Sequence, residues 1–356
     1  NWYMLNRVHN RTLQTLNEKR IRYIRGKAEK LVLDRKEVVV KNKRKEIILR
    51  YDSLIIATGG KPRKLGVSGE NKRGVVTPYT LSSIRRLTEA KSCAIVGAGF
   101  IGLKIAEVLW RKGVKTYLID KARVLAGTVD ETIASIVKNR LEKRGIEVLE
   151  KAEVSRVEGT DKVEYIVVNG RRIPVDSIVV AIGVTPNVDL AREAGLPTGK
   201  NGVVVDDKLR TSEHDVLAAG DCTPTIEHIS GAEVYMPIGS RSAFSGLVAG
   251  CNAIGENLSI GRWLRRQWEK VFDLEVASAG LTREQANKLG INCREEIVRL
   301  NGCLLTVLVS GERVIGGQAV GPGAARAVEA VVEGILAGEK YSNCLLYTSP
   351  SPRDRG

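Results

Sequence analysis

Apolar and polar positions in this chain switch between a strand period and a helix period several times. Cys93 to Val96 is a short unbroken apolar run. Phe100 to Trp110 repeats apolar residues at helical spacing, and Lys115 to Ile119 is a second strand-like run that stops at Asp120. Downstream, Gly202 to Asp206 reads as a strand, Thr211 to Cys222 as an apolar strand running into Gly220 and Asp221, and Gly239 to Gly255 as a small-residue helix. From Ser259 the pattern becomes that of a separate α+β module. It predicts strands over Val271 to Ala277, Leu305 to Val309 and Arg313 to Val320, a helix to Lys288 opened by a Thr282/Gln285 capping box, and a last helix over Ala324 to Leu336.

The pattern also repeats. Laying Asn17–Gly59 over Leu141–Gly183 without a gap puts Glu18, Lys19 and Arg20 on Glu142, Lys143 and Arg144, and Lys27, Ala28 and Glu29 on Lys151, Ala152 and Glu153. Val39 meets Val163, Asp52 and Ser53 meet Asp176 and Ser177, and Ala57 and Gly59 meet Ala181 and Gly183. Both copies run from a helix end through a meander of short strands to an apolar strand that stops at glycine. One nucleotide-binding architecture used twice is the expectation.

The second copy carries its own chemistry. Gly97, Gly99 and Gly102 form a GxGxxG between a strand and a helix, with Phe100 and Ile101 inside it. The first glycine permits a tight turn, the second lets backbone approach a pyrophosphate, and the third lets helix pack on strand. Asp120 closes the next strand, where a carboxylate accepts hydrogen bonds from adenosine ribose hydroxyls and repels a 2′-phosphate. Lys121 and Arg123 stand close enough to offset part of that repulsion. NADH is favoured over NADPH. The first copy should have had an equivalent fingerprint upstream of Asn1, for a second dinucleotide. Asp221 is read either as a ligand for a ribityl or ribose hydroxyl or as a helix N-cap.

Composition trims the remaining classes. The chain has 356 residues, 43% apolar and 27% charged, which suits two or three packed domains. The net charge of +15 invites a nucleic-acid reading, but residues 1–50 concentrate fifteen Lys and Arg against five Asp and Glu, and only 4% of residues are aromatic. Too few rings exist for base-stacking platforms, which argues against nucleic acid. Six cysteines, Cys93, Cys222, Cys251, Cys293, Cys303 and Cys344, show no CxxC pair, which argues against a metal site and a disulfide framework. No apolar run is long enough to span a membrane, and the expectation is a soluble, cytoplasmic protein. The first residue is Asn1, and the tail CLLYTSPSPRD from Cys344 breaks from what precedes it and resembles a translated sequencing adapter; residues 341–356 read as non-native.

YDSLIIATGGKPR, GAGFIG, AIGVTPN, LRTSEHDVLAAGDC and VFDLEVASAGLTREQA occur in that order, to about residue 340. In this succession the chain resembles the pyridine nucleotide-disulfide oxidoreductase flavoproteins, within the group of NADH oxidases, coenzyme A-disulfide reductases, and rubredoxin and nitrite reductases. The resemblance implies an α/β fold of two Rossmann-like three-layer domains: an N-terminally truncated FAD domain (1–88 and 189–258) interrupted by an NAD(P) domain (89–188). An α+β dimerisation domain (259–340) follows and implies a homodimer. Thr58, Gly59, Gly220 and Asp221 would then lie at FAD, and Gly97, Phe100, Ile101, Gly99, Gly102, Asp120 and Gly183 at NAD. Lys104 stands where the family carries a glutamate, near the nicotinamide. No cysteine here matches the family's redox cysteine, which would sit upstream of Asn1. The implied function is an FAD-dependent NAD(P)H oxidoreductase passing a hydride from NADH to FAD and on to a disulfide, dioxygen or a similar acceptor. Two alternatives remain: a rubredoxin, ferredoxin or nitrite reductase flavoprotein, and a non-catalytic FAD- and NAD-binding redox sensor.

Overall fold

The computed structural model describes residues 11–42, 45–80, 83, 87 and 90–338. The tail from Cys344 and the first ten residues lie outside them. A helix at 11–18 (α1) leads into an antiparallel sheet of β1 (Lys27–Val32), β2 (Glu37–Lys41) and β3 (Glu46–Arg50), then into β4 (Leu54–Ile56). β5 (Gly60–Pro62) and β6 (Val75–Val76) carry the chain to β7 (Ser92–Val96), α2 (Phe100–Arg111), β8 (Lys115–Ile119), α3 (Glu131–Glu142) and β9 (Glu147–Leu149). A second antiparallel sheet follows, β10 (Val154–Glu158), β11 (Tyr165–Val168) and β12 (Arg171–Pro174), and then β13 (Ser177–Val180) and β14 (Val184–Pro186).

The two copies share the helix end, the meander and the closing strand, while β9 has no counterpart strand after α1. Glu18 and Glu142 are the last residues of α1 and α3. Each helix is followed by a three-stranded meander and by a strand in parallel pairing: β4 with β17 (Val216–Ala218), and β13 with β6 and β7. The parallel sheet runs β6-β13-β7-β8-β9. Its central strands β13 and β7 are almost wholly apolar because both faces are covered. Cys93 and Ile95 of β7 pack with Leu103, Ala106 and Leu109 of α2 and with Ile133, Val137 and Leu141 of α3. Ala94 and Val96 face the meander, against Val157, Ile166, Val168 and Ile173.

α4 (Asp189–Glu193) leads to β15 (Thr198–Gly199) and β16 (Gly202–Val203). The strand expected over Gly202 to Asp206 stops early because the Asp206 carboxylate accepts from the Lys208 and Arg210 N–H groups at 2.9 and 2.8 Å, and this local turn displaces strand pairing. β17, the hairpin β18 (Thr225–Ile226) and β19 (Glu233–Val234), and α5 (Gly239–Ala253) complete this part.

The last part is an antiparallel sheet of β20 (Arg266–Val271), β21 (Leu274–Gly280), β22 (Arg294–Leu300), β23 (Cys303–Ser310) and β24 (Arg313–Val320), ordered β20-β21-β24-β23-β22, with α6 (Arg283–Lys288) and α7 (Ala324–Ala337). The capping box forms at Thr282 as expected. The single strand expected over Val271 to Ala277 is a hairpin turning at Phe272 and Asp273. Phe272 adopts φ 57° without the usual Asn or Gly. Its ring meets Trp110 edge-on at 5.3 Å and lies 4.7 Å from the Arg144 guanidinium, while Asp273 pairs with Arg140 and Arg144. Tertiary contacts favour this turn.

Nor does this module pack separately. α7 covers one sheet face, while Val271, Phe272, Leu274, Val276, Leu304 and Val320 join the core made by α2 and α3. At the joint, buried Asp130 accepts from the Arg283 N–H at 3.1 Å and from Gln318 Nε2 at 2.8 Å, and its own N–H donates to Gln318 Oε1 at 2.6 Å. Asp130→Ala strands the Gln318 amide and the Arg283 N–H, and is expected to destabilise the fold by about 1–3 kcal/mol. The urea midpoint reads this; an unchanged midpoint shows that the joint contributes nothing.

Candidate functional site

In an open parallel sheet, loops leaving the C-terminal strand ends enclose the crevice where ligands bind. β13, β7 and β8 are parallel neighbours, so Gly183, the Gly97–Gly102 turn and Asp120 emerge along one edge. The Gly97 N–H donates to the Ile119 oxygen at 2.8 Å, and the Ala181 N–H to the Val96 oxygen at 2.7 Å.

Each glycine answers a different demand. Gly97 has φ +110°, and a Cβ on it would sit 2.3 Å from the Ala181 carbonyl oxygen. A Cβ on Gly102 would lie 1.9 Å from the Gly97 oxygen, because the first turn of α2 presses on the glycine turn. Gly99, the N-cap of α2, would meet nothing within 4 Å. The second glycine thus presents bare backbone to open space, beside helix N–H groups that have no intrahelical acceptor and carry the positive end of the helix dipole.

These groups line a cleft of about 810 Å³. Gly97, Gly99, Phe100, Ile101, Asp120 and Gly183 all face it; Gly102 stands behind as the packing residue. Asp120 accepts from the Ala98 N–H at 2.7 Å and the Ala122 N–H at 2.8 Å, so its carboxylate fastens the glycine turn as well as facing the cleft. Arg63 and Lys64 line it from the segment after β5, Lys121 and Glu153 beside Asp120, and Arg265 and Gln267 from the C-terminal module. Of these, the sequence placed Lys121 beside Asp120; it did not reveal the others as cleft residues. Arg63 does end the quoted ATGGKPR motif, but Arg265 and Gln267 sit in a charged run without informative spacing.

The other predicted set gathers by the same logic. β4 and β17 are parallel partners, so Thr58 and Gly59 leave one strand beside Gly220 and Asp221 leaving the other. The Thr58 hydroxyl donates to the Asn187 oxygen at 2.5 Å, and Asn187 Nδ2 returns a bond to the Thr58 oxygen at 3.2 Å. With the β5–β14 pairing, this ties together the two segments that connect the repeats. Gly220 opens a short turn to Cys222. The Ser242 hydroxyl donates to Asp221 Oδ1, the Ser245 hydroxyl accepts from the Gly220 N–H at 2.8 Å, and buried Arg241 donates to the oxygens of Gly220, Thr223 and Pro224. Asp221 therefore does not cap a long helix. The Tyr235 hydroxyl nearby is buried without a partner among the described residues, and burial beside Asp221 pushes it up to about 12.

Lys104 is elsewhere. Its ammonium donates to the Lys270 oxygen at 2.7 Å and lies 3.3 Å from Glu269 and 3.5 Å from Glu107, bridging α2 to β20; it does not line the cleft. Cys93, Cys222 and Cys303 are buried. Burial pushes the Cys93 thiol up to about 12 and raises that of Cys303, so neither is a thiolate at neutral pH. No group of His, Cys, Asp and Glu suited to a metal ion occurs among the described residues, and no described helix is long and apolar enough to cross a membrane.

Comparison with known proteins follows the same lines. An NADH oxidase of Methanocaldococcus jannaschii is 34% identical over 249 residues, covering 68% of this chain and 56% of that protein. A NAD-dependent persulfide reductase from A. fulgidus superposes with a TM-score of 0.85 at 31% identity, covering 89% of this chain and 62% of that one. For an FAD-dependent pyridine nucleotide-disulphide oxidoreductase from Desulfovibrio vulgaris the values are 0.84 and 27%, with coverage of 91% and 85%. The chain thus spans less than two thirds of the length of the first two. Residues 5–234 match the family model of the pyridine nucleotide-disulphide oxidoreductases, and the chain, with its glycine turn, its paired repeats and its antiparallel C-terminal sheet, belongs to that family.

Proposed function

We propose that this chain handles NAD(P)H within an FAD-dependent oxidoreductase that passes electrons to a disulfide, dioxygen or a small redox protein. One observation carries the reading: Gly99 shows bare backbone to a cleft while Gly97 and Gly102 are pressed against backbone that admits no side chain. That arrangement fits a pyrophosphate. Gly97, Gly99, Phe100 and Ile101 would hold it at the start of α2, with Gly102 letting the helix pack close behind them; Asp120 would bind the adenosine ribose of NADH, and Gly183 would lie on the nicotinamide side. Arg63 and Lys64 add positive charge to the same cleft. On the flavin side, Asp221 Oδ1 is engaged by Ser242 and Oδ2 has no donor among the described residues, which suits a ribityl hydroxyl; Thr58, Gly59 and Gly220 would border the same group. Bound together, NADH supplies a hydride and FAD accepts it. The protein's part is to bind and orient. Arg241 and Ser245 set the path of the Gly220 turn, and Thr58 with Asn187 fixes the crossing between the repeats.

On the same reading the protein is cytoplasmic and a homodimer joined through its C-terminal module, where Trp268, Ile297 and Leu336 are exposed. Stopped-flow mixing of the full-length flavoprotein with NADH is expected to bleach the flavin absorbance. A flavin that stays oxidised while NADH binds would overturn the enzyme reading in favour of a redox sensor.

A further inference from the structure

Asp120 is followed directly by Lys121, a cation that would weaken discrimination against a 2′-phosphate if it were free to turn toward the ribose. It is not free. Lys121 Nζ lies 2.6 Å from Glu153 Oε1, and both residues line the cleft beside Asp120. The position of Glu153 is set by backbone. The Ala152 N–H donates to the Asp120 oxygen at 2.9 Å, and the Lys151 N–H to the Ala122 oxygen at 3.1 Å. The Glu153 N–H donates to Asn169 Oδ1 at 2.9 Å, and the Asn169 N–H returns to the Glu153 oxygen at 3.0 Å. Asn169 and Gly170 form the turn between β11 and β12, both with positive φ. The hydrogen bond from Lys121 holds the Glu153 carboxyl below its usual range, so it is anionic at neutral pH.

Resting on the dinucleotide reading above, we infer that Glu153 is a specificity-determining residue, which occupies Lys121 and adds a second carboxylate beside Asp120, so that the cleft takes NADH in preference to NADPH. A 2′-phosphate, with about two negative charges, would meet Asp120 and Glu153 with the Lys121 ammonium already paired. An unphosphorylated ribose meets no such cost. Both side chains of the pair are largely exposed, at 74% and 67%, so replacing Glu153 does not threaten the fold.

The test uses two ligands that differ only by the phosphate, ADP-ribose and 2′-phospho-ADP-ribose, titrated calorimetrically into the 356-residue chain. The unsubstituted chain is expected to bind ADP-ribose at least tenfold more tightly. Glu153→Gln should leave ADP-ribose affinity unchanged and tighten 2′-phospho-ADP-ribose about tenfold, a gain that shrinks as salt is added. Adding Lys121→Ala to Glu153→Gln should abolish the gain. If ADP-ribose binds normally and Glu153→Gln does not alter the phosphorylated ligand, the role of Glu153 is overturned while the dinucleotide reading stands. If neither ligand binds the unsubstituted chain, the dinucleotide reading fails and the inference falls with it.

Discussion

Gly102→Ala is expected to lose nucleotide affinity and fold stability together, whereas Gly99→Ala loses only affinity. The methyl group at 102 would be placed 1.9 Å from a backbone oxygen, a distance that no side-chain rotation relieves. Either α2 lifts from the glycine turn or the turn deforms. The cost is about 1–3 kcal/mol of stability, and the displaced helix start no longer meets a pyrophosphate, so NADH affinity should fall roughly a hundredfold if the strain is concentrated at the site, as about 2.7 kcal/mol would give. At 99 the added methyl meets no protein atom within 4 Å and the backbone φ of −77° suits any residue. Its effect falls on whatever approaches from the cleft. Urea denaturation and NADH fluorescence titration on both variants separate the two roles. Equal loss of stability in both would contradict the division of labour among the glycines.

Arg241→Met is expected to be the most destabilising single change in this part of the chain. The guanidinium is 1% exposed, and burial works against its charge. It is held by carbonyl oxygens: Gly220 at 2.8 Å, Thr223 at 3.4 Å, and Pro224, with the Thr223 hydroxyl at 3.0 Å. Methionine matches much of the stem but supplies no donor. The Gly220 oxygen keeps the Thr223 N–H and hydroxyl, but at roughly 1–3 kcal/mol for each of the Thr223 and Pro224 oxygens left without this donor, a loss of about 2 kcal/mol or more follows. Arg241→Lys, with one compact donor group, should recover part of it. The urea midpoint measures both, and a methionine variant as stable as the unsubstituted chain would mean that solvent reaches these carbonyls.

Legibility in the sequence tracked how local each constraint is. The glycine turn, Asp120 and the capping box at Thr282 are set by demands within a few residues, and all three occupy the expected places. The repeat was readable because both copies build the same meander from the same short strands. Edge strands were not. β20 alternates exposed and half-buried positions, and β22, REEIVRL, has a charged face, so neither shows an apolar run. The Phe272–Asp273 turn puts a phenylalanine, not Asn or Gly, at positive φ, and Trp110 and Arg144, far away in sequence, favour it. Lys104 illustrates the same limit: its motif position pointed to the nicotinamide, but its ammonium is bonded to a strand that only the tertiary fold brings near. Glu153 and Arg265 reach the cleft from segments far apart in the chain, for reasons no spacing reveals.

The apolar mass shared by α2, α3 and the antiparallel sheet bears on where the polypeptide can be cut. Secondary structure changes character near Ser259, yet an excised piece ending there would strip Trp110 and Arg144 of the Phe272 ring and take Val271 and Val276 out of the core that α2 and α3 share with them. Anyone engineering a minimal nucleotide carrier from this scaffold should therefore keep the terminal sheet, or first recast that helical face with polar side chains.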